Sequence, residues 1–132
     1  MDIHTMDHLV LTVRDIDKTC TFYSNVLDME IRTTDGNRKA IHFGNAKINL
    51  HRQGGEFTPH ALAPTPGSAD LCFLTKTPID QVIARLDRCR VKLLAGPVQR
   101  TGATGRLLSI YFRDPDGNLL EVANPLSSSS TT

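Results

Sequence analysis

The sequence predicts an α+β domain made of two β-α-β-β-β modules whose mixed sheets curl into a cup. Two observations carry this expectation. The second half repeats the plan of the first: His8-Leu9-Val10-Leu11-Thr12-Val13 leads into a helical stretch at Asp15, and Asp70-Leu71-Cys72-Phe73-Leu74-Thr75 leads into another at Pro78. The repeat also aligns polar residues at matching strand positions, His8 with Asp70 and Asn49 with Glu121. Polar positions arranged around a pseudo-two-fold axis suggest a metal or small-ligand site.

A chain of 132 residues with 39% hydrophobic residues is one domain by size. Its expected extent is 1–126, with modules at about 5–53 and 68–124, a Gly- and Pro-rich linker over 54–67, and a polar, low-complexity tail over 127–132 that reads as disordered. Fifteen basic residues against fourteen acidic ones give no broad field for nucleic acid or an anionic membrane. No basic segment leads into a long apolar run, so signal-peptide and membrane-spanning readings fail and a cytoplasmic location is expected. Cys20, Cys72 and Cys89 are odd in number and lack C-x-x-C spacing. They read as buried free thiols.

Each element follows from local pattern. Alternation over Asp7–Val13 makes a strand with Leu9, Leu11 and Val13 on one face and His8, Val10 and Thr12 on the other. Asp15 is an N-cap type, and Ile16, Cys20, Tyr23, Val26 and Leu27 recur at helical spacing behind it. Strands follow over Glu30–Thr34, Lys39–Gly44 and Lys47–Arg52, separated by the turn residues Asp35-Gly36-Asn37 and Gly44-Asn45. In the second module a strand over Ala69–Thr75 precedes a helix from Pro78 to Arg88 with an Ile79, Val82, Ile83, Leu86 stripe. Further strands are expected at Val91–Leu94, Leu107–Arg113 and Leu119–Ala123, with Gln99–Gly105 as a Gly-rich loop and Asp114-Pro115-Asp116-Gly117-Asn118 as a turn. The alternation points Asn49, Lys47 and His51 away from Ile48 and Leu50, and Glu121 away from Leu120 and Val122.

The opening Asp7–Val13, the helix end Phe22-Tyr23-Ser24-Asn25-Val26-Leu27 and the run Asp114–Glu121 resemble the vicinal oxygen chelate superfamily, which contains glyoxalase I and the fosfomycin-resistance, bleomycin-resistance and extradiol dioxygenase proteins. The resemblance covers about residues 5 to 125. Lys47–His51, Pro64–Phe73 and Arg100–Gly105 are most similar to the small virulence-associated glyoxalase-domain proteins of bacteria. What the resemblance implies is a divalent cation held by His8, Asn49, Asp70 and Glu121. Two positions depart from the pattern: glyoxalase I usually has a carboxylate where this chain has Asn49, and most members have His where it has Asp70. His51, one pleat along on the same face, is the substitute for Asn49. Such a donor set suits Mn²⁺, Mg²⁺, Fe²⁺ or Ni²⁺ and can hold Zn²⁺.

Each residue also has a plainer reading. His8 read alone is a hydrogen-bonded structural histidine, Asp70 a backbone cap after Gly67-Ser68, and Asn49 and His51 sheet-lining residues. Glu121 inside an apolar strand is costly unless paired or metal-bound, which favours a functional role as ligand or catalytic base. Arg52, Arg100 and Arg106 are candidate substrate anchors, and Tyr111 either lines the site or packs. His4, His42 and His60 lack partners in the repeat and read as surface or packing residues.

The resemblance implies a homodimeric, metal-dependent lyase or isomerase of the glyoxalase type acting on a small oxygenated compound such as an α-ketoaldehyde adduct. The alternatives are a non-catalytic small-molecule-sequestering protein and an extradiol-type dioxygenase, the last needing His51 as ligand.

Overall fold

The computed structural model describes residues 1–127, so the expected tail over 127–132 lies, apart from Ser127, outside the described residues. The chain divides into two compact units, Met1–Ser68 and one beginning at Ala69, and each has the β-α-β-β-β order.

The first unit comprises β1 (His8–Val13), α1 (Ile16–Leu27), β2 (Glu30–Thr34), β3 (Arg38–Phe43) and β4 (Ala46–Arg52), with a 3₁₀ turn at Asp35–Asn37. The sheet order is β1-β4-β3-β2, with β1 parallel to β4 and the other neighbours antiparallel. The parallel pairing requires a crossover, and α1 supplies it. The Asp15 carboxylate accepts the Lys18 N–H at 3.0 Å, a cap worth about 1 kcal/mol. At the far end Asp28 turns left-handed, φ 55°, and its N–H returns to the Ser24 carbonyl while that of Met29 returns to Tyr23. Cys20, Tyr23 and Val26 on the helix and Leu11, Val13, Ile41, Ile48 and Leu50 on the strands are buried, forming this unit's core. Truncating a wholly buried member such as Ile48 to Ala would cost about 2–5 kcal/mol.

The second unit comprises β5 (Asp70–Leu74), α2 (Ile79–Arg88), β6 (Ala95–Thr101), β7 (Arg106–Arg113) and β8 (Leu119–Pro125), in sheet order β5-β8-β7-β6. Side chains tie the parallel β5–β8 pair at both ends. In the Asp-Pro-Asp-Gly-Asn turn the Asp114 carboxylate accepts the Asp116 and Asn118 N–H groups at 2.9 and 3.0 Å and the Asn118 amide at 2.8 Å. The Asn118 carbonyl oxygen then accepts the Ala69 N–H at 2.8 Å, fixing where β5 starts against β8. At the other end Asn124 donates to the Thr75 and Thr77 carbonyls at 2.9 and 2.8 Å and accepts the Ile79 N–H at 2.8 Å. That last bond caps α2, whose N-cap residue, Pro78, has no side-chain hydrogen bond to offer.

Two expectations are corrected. The second strand of the second unit is not Val91–Leu94 but Ala95–Thr101, and the Gly-rich loop shrinks accordingly to the residues between β6 and β7. Gly96 and Pro97 look like strand breakers in sequence, but β6 is an edge strand with a register shift between Ala95 and Val98, where both are tolerated. Gly96, φ +98°, lies so close to β7 that a Cβ there would stand 2.4 Å from the Ser109 carbonyl oxygen. The thiols are also not uniformly buried: Cys20 is buried, Cys89 half-buried and Cys72 exposed, because Cys72 lies on the strand face that α2 does not cover.

Candidate functional site

The two sheets share one register rule. In the first unit His8 pairs with Lys47, and Asn49 stands two residues further along β4. In the second, Asp70 pairs with Leu119, and Glu121 stands two residues further along β8. Strand alternation therefore puts His8 with Asn49, and Asp70 with Glu121, on the face opposite the helix, at equivalent places in each sheet.

On the first face β1 contributes His8, Val10 and Thr12, and β4 contributes Lys47, Asn49 and His51. His8 is exposed and its Nδ1 lies 2.8 Å from the neighbouring Asp7 carboxylate. His51 is 9% exposed, and its Nδ1 is buried without a hydrogen-bond partner. Burial pushes the His51 imidazole below its ordinary pKa, and the nearby Glu56 carboxylate opposes that in part. The His51 ring stands edge-on to Phe57, centroids 5.2 Å apart, and the Arg38 guanidinium lies 3.8 Å from the Phe57 ring centroid. A pocket of about 170 Å³ opens here, with Arg38, Asn49, His51 and Phe57 in its lining.

The second face differs in character. Cys72 and Tyr111 are the cross-strand neighbours of Glu121 on either side. The Cys72 thiol is raised to about 11, first by burial, then by the Glu121 charge and the hydrogen bond to it, and last by Asp70. A half-buried carboxylate thus already acts as hydrogen-bond acceptor on this face. Arg100 donates its Nε–H to the Tyr111 hydroxyl at 3.0 Å. The Ser109 hydroxyl is buried with no partner.

The predicted residues are thus brought together in pairs within each unit. Arg100 and Tyr111 join, while Arg52 and Arg106 are exposed near strand ends. Among the described residues no group of three or more His, Cys, Asp or Glu side chains gathers where it could hold a metal ion. Sequence reasoning missed Arg38 and Phe57, whose contact joins β3 to the Gly- and Pro-rich segment. A lone aromatic in such a segment was the available signal.

The model of the Glyoxalase/Bleomycin resistance protein/Dioxygenase superfamily matches residues 5–122. The chain belongs to that superfamily. This member is 55% identical over 123 residues to the virulence protein STM3117 of Salmonella typhimurium strain LT2, covering 93% of this chain and 85% of that protein. The crystal structure of STM3117 matches with a TM-score of 0.93 over 96% of this chain and 100% of that one. It is 47% identical over 124 residues to the glyoxalase domain-containing protein RDO1 of Mycosarcoma maydis, covering 94% of this chain and 70% of RDO1. At 22% identity and a TM-score of 0.65, the fold extends to the fosfomycin resistance protein FosX of Listeria monocytogenes, solved with Mn(II), over 92% of this chain and 90% of that one. Superfamily membership and these folds agree with the resemblance read from the sequence, and with its α+β class.

Proposed function

We propose that this superfamily member is a metal-dependent lyase or isomerase of the glyoxalase type, acting on a small oxygenated compound such as an α-ketoaldehyde adduct. The observation that carries the reading is the shared register rule, which repeats one placement of paired polar side chains, His8 with Asn49 and Asp70 with Glu121. The donors would be those residues, with His51 as the substitute for Asn49. Oxygen and imidazole donors of this kind suit Mn²⁺, Ni²⁺, Fe²⁺ or Mg²⁺ and tolerate Zn²⁺. A bound cation would supply Lewis acidity to the substrate. Glu121 is the base: its carboxylate accepts a proton from the substrate carbon, and Cys72, held as the thiol beside it, keeps it oriented. Tyr111, held by Arg100, offers its hydroxyl to a substrate oxygen on the same face. The working form is a cytoplasmic homodimer, which sedimentation at micromolar concentration tests; a monomer would overturn it.

Calorimetric titration with Mn²⁺ or Ni²⁺ tests the metal. Glu121→Gln should weaken binding by about tenfold or more with the fold intact, since the amide keeps the shape and loses the charge. Unchanged affinity would remove Glu121 from the metal donors. A second reading, a binding protein that sequesters a small molecule without catalysis, is favoured by the lack of a three-donor group among the described residues. Absence of any measurable metal binding selects it.

A further inference from the structure

The pocket on the first unit's polar face is basic. Its charged lining residues are Arg38, Lys39 and Lys47, with no Asp or Glu among them. Lys39 is turned to Asp17 on α1 at 3.4 Å, which leaves Arg38 and Lys47 for the pocket. Arg38 lies over the Phe57 ring, an arrangement that satisfies the face of the guanidinium and leaves its in-plane N–H fork for an acceptor. Among the described residues no carboxylate forms an ion pair with Arg38, although Arg32 on β2 and Lys39 next to it on β3 both have one. Asn49 and Thr34 also line the pocket, the Thr34 hydroxyl donating to the Arg38 carbonyl at 3.4 Å, and the Nδ1 of His51, whose ring stands edge-on to Phe57, is nine-tenths buried and without a partner. An unsatisfied buried polar atom is destabilising, a penalty that a bound ligand removes.

We propose that this pocket is an oxyanion subsite that takes the carboxylate or phosphonate end of a small molecule. Arg38 grips two of its oxygens in the plane of the guanidinium, Lys47 adds charge, and the Asn49 amide donates to an oxygen. His51 is the remaining partner for a ligand atom that enters beside Phe57. A volume of about 170 Å³ suits a small acid rather than a polymer. The inference deepens the function proposed above by naming the substrate class as anionic; it rests on the small-molecule part of that reading and not on the metal.

The test is a titration of the ¹⁵N-labelled full chain, in EDTA, with glycolate, methylphosphonate and the neutral glycolamide, followed by amide shifts. Glycolate or methylphosphonate should move the amides of Arg38, Asn49, His51 and Phe57, and glycolamide should bind at least about tenfold more weakly. The tighter of the two anions identifies the source, carboxylate or phosphonate. Arg38→Gln should weaken that anion about tenfold or more while its spectrum stays dispersed; Arg38→Lys, which keeps the charge and loses the fork, should fall between the two. Equal binding of glycolamide, anion shifts that avoid these amides, or an unchanged affinity in Arg38→Gln would each overturn the subsite. Because metal is absent throughout, these failures leave the Glu121→Gln metal titration to be judged separately.

Discussion

The two polar faces occupy matching register positions and carry opposite chemistry. Where the first sheet has His8, Val10, Lys47 and Asn49, the second has Asp70, Cys72, Leu119 and Glu121. The first face is basic, with imidazoles and a guanidinium held on an aromatic ring; the second carries two carboxylates, whose charges add to desolvation in raising the Cys72 thiol to about 11. The difference teaches that the repeat duplicates placement and leaves charge free to diverge, so one half can suit an oxyanion while the other suits a cation. The braces differ as well. The first unit joins β3 and β4 by a simple Gly44-Asn45 turn and caps α1 from the adjacent Asp15, whereas the second binds its parallel pair at both ends through Asn118 and Asn124.

That contrast breaks first on stability. Asn118→Ala removes a buried side chain and leaves both the Asp114 carboxylate and the Ala69 N–H short of a partner, so it should cost about 2–4 kcal/mol in urea denaturation. The corresponding turn residue of the first unit, Asn45, is exposed, and Asn45→Ala should stay within about 0.5 kcal/mol. Similar losses at the two sites would show that the second unit is not braced in the way described.

The next effect is on metal. Asp70→Ala should lower Mn²⁺ affinity by about tenfold or more, and Asp70→His, which copies the first unit's His8, should keep a site and shift preference toward Zn²⁺. Tight Mn²⁺ binding by Asp70→Ala would remove Asp70 from the donors and leave His51 as the next residue to test.

A smaller effect concerns protons. With its thiol raised to about 11, Cys72 should react slowly with iodoacetamide at pH 8, and its rate should climb as pH approaches that value. Glu121→Gln removes an anion that disfavours the thiolate, so the rate profile should shift to lower pH while the burial contribution remains. Peptide mapping isolates Cys72 from Cys20 and Cys89. An unmoved profile would mean that the second face is less acidic than its residues suggest.

Period-two alternation made the polar faces legible in the sequence. Asn49 against Ile48 and Leu50, and Glu121 against Leu120 and Val122, can each point only one way once the apolar neighbours pack on a helix. The Asp-Pro-Asp-Gly-Asn turn was legible because its chemistry is local. β6 was not, since Gly96 and Pro97 serve an edge strand whose tolerance for them depends on where it sits in the sheet. Arg38 with Phe57, and Asn118 and Asn124 with backbone groups 45 to 49 residues away, are contacts of the folded chain with no local signature.

Asn124 carries one more consequence, in the order of chain synthesis. The α2 helix receives its N-terminal cap from a residue made 45 positions after Ile79. Capping by Asp15 needs only the next few residues, so α1 can be finished while the ribosome is still at work on the first unit. α2 must wait: until the last strand emerges, the Ile79 N–H at its start has no side-chain acceptor.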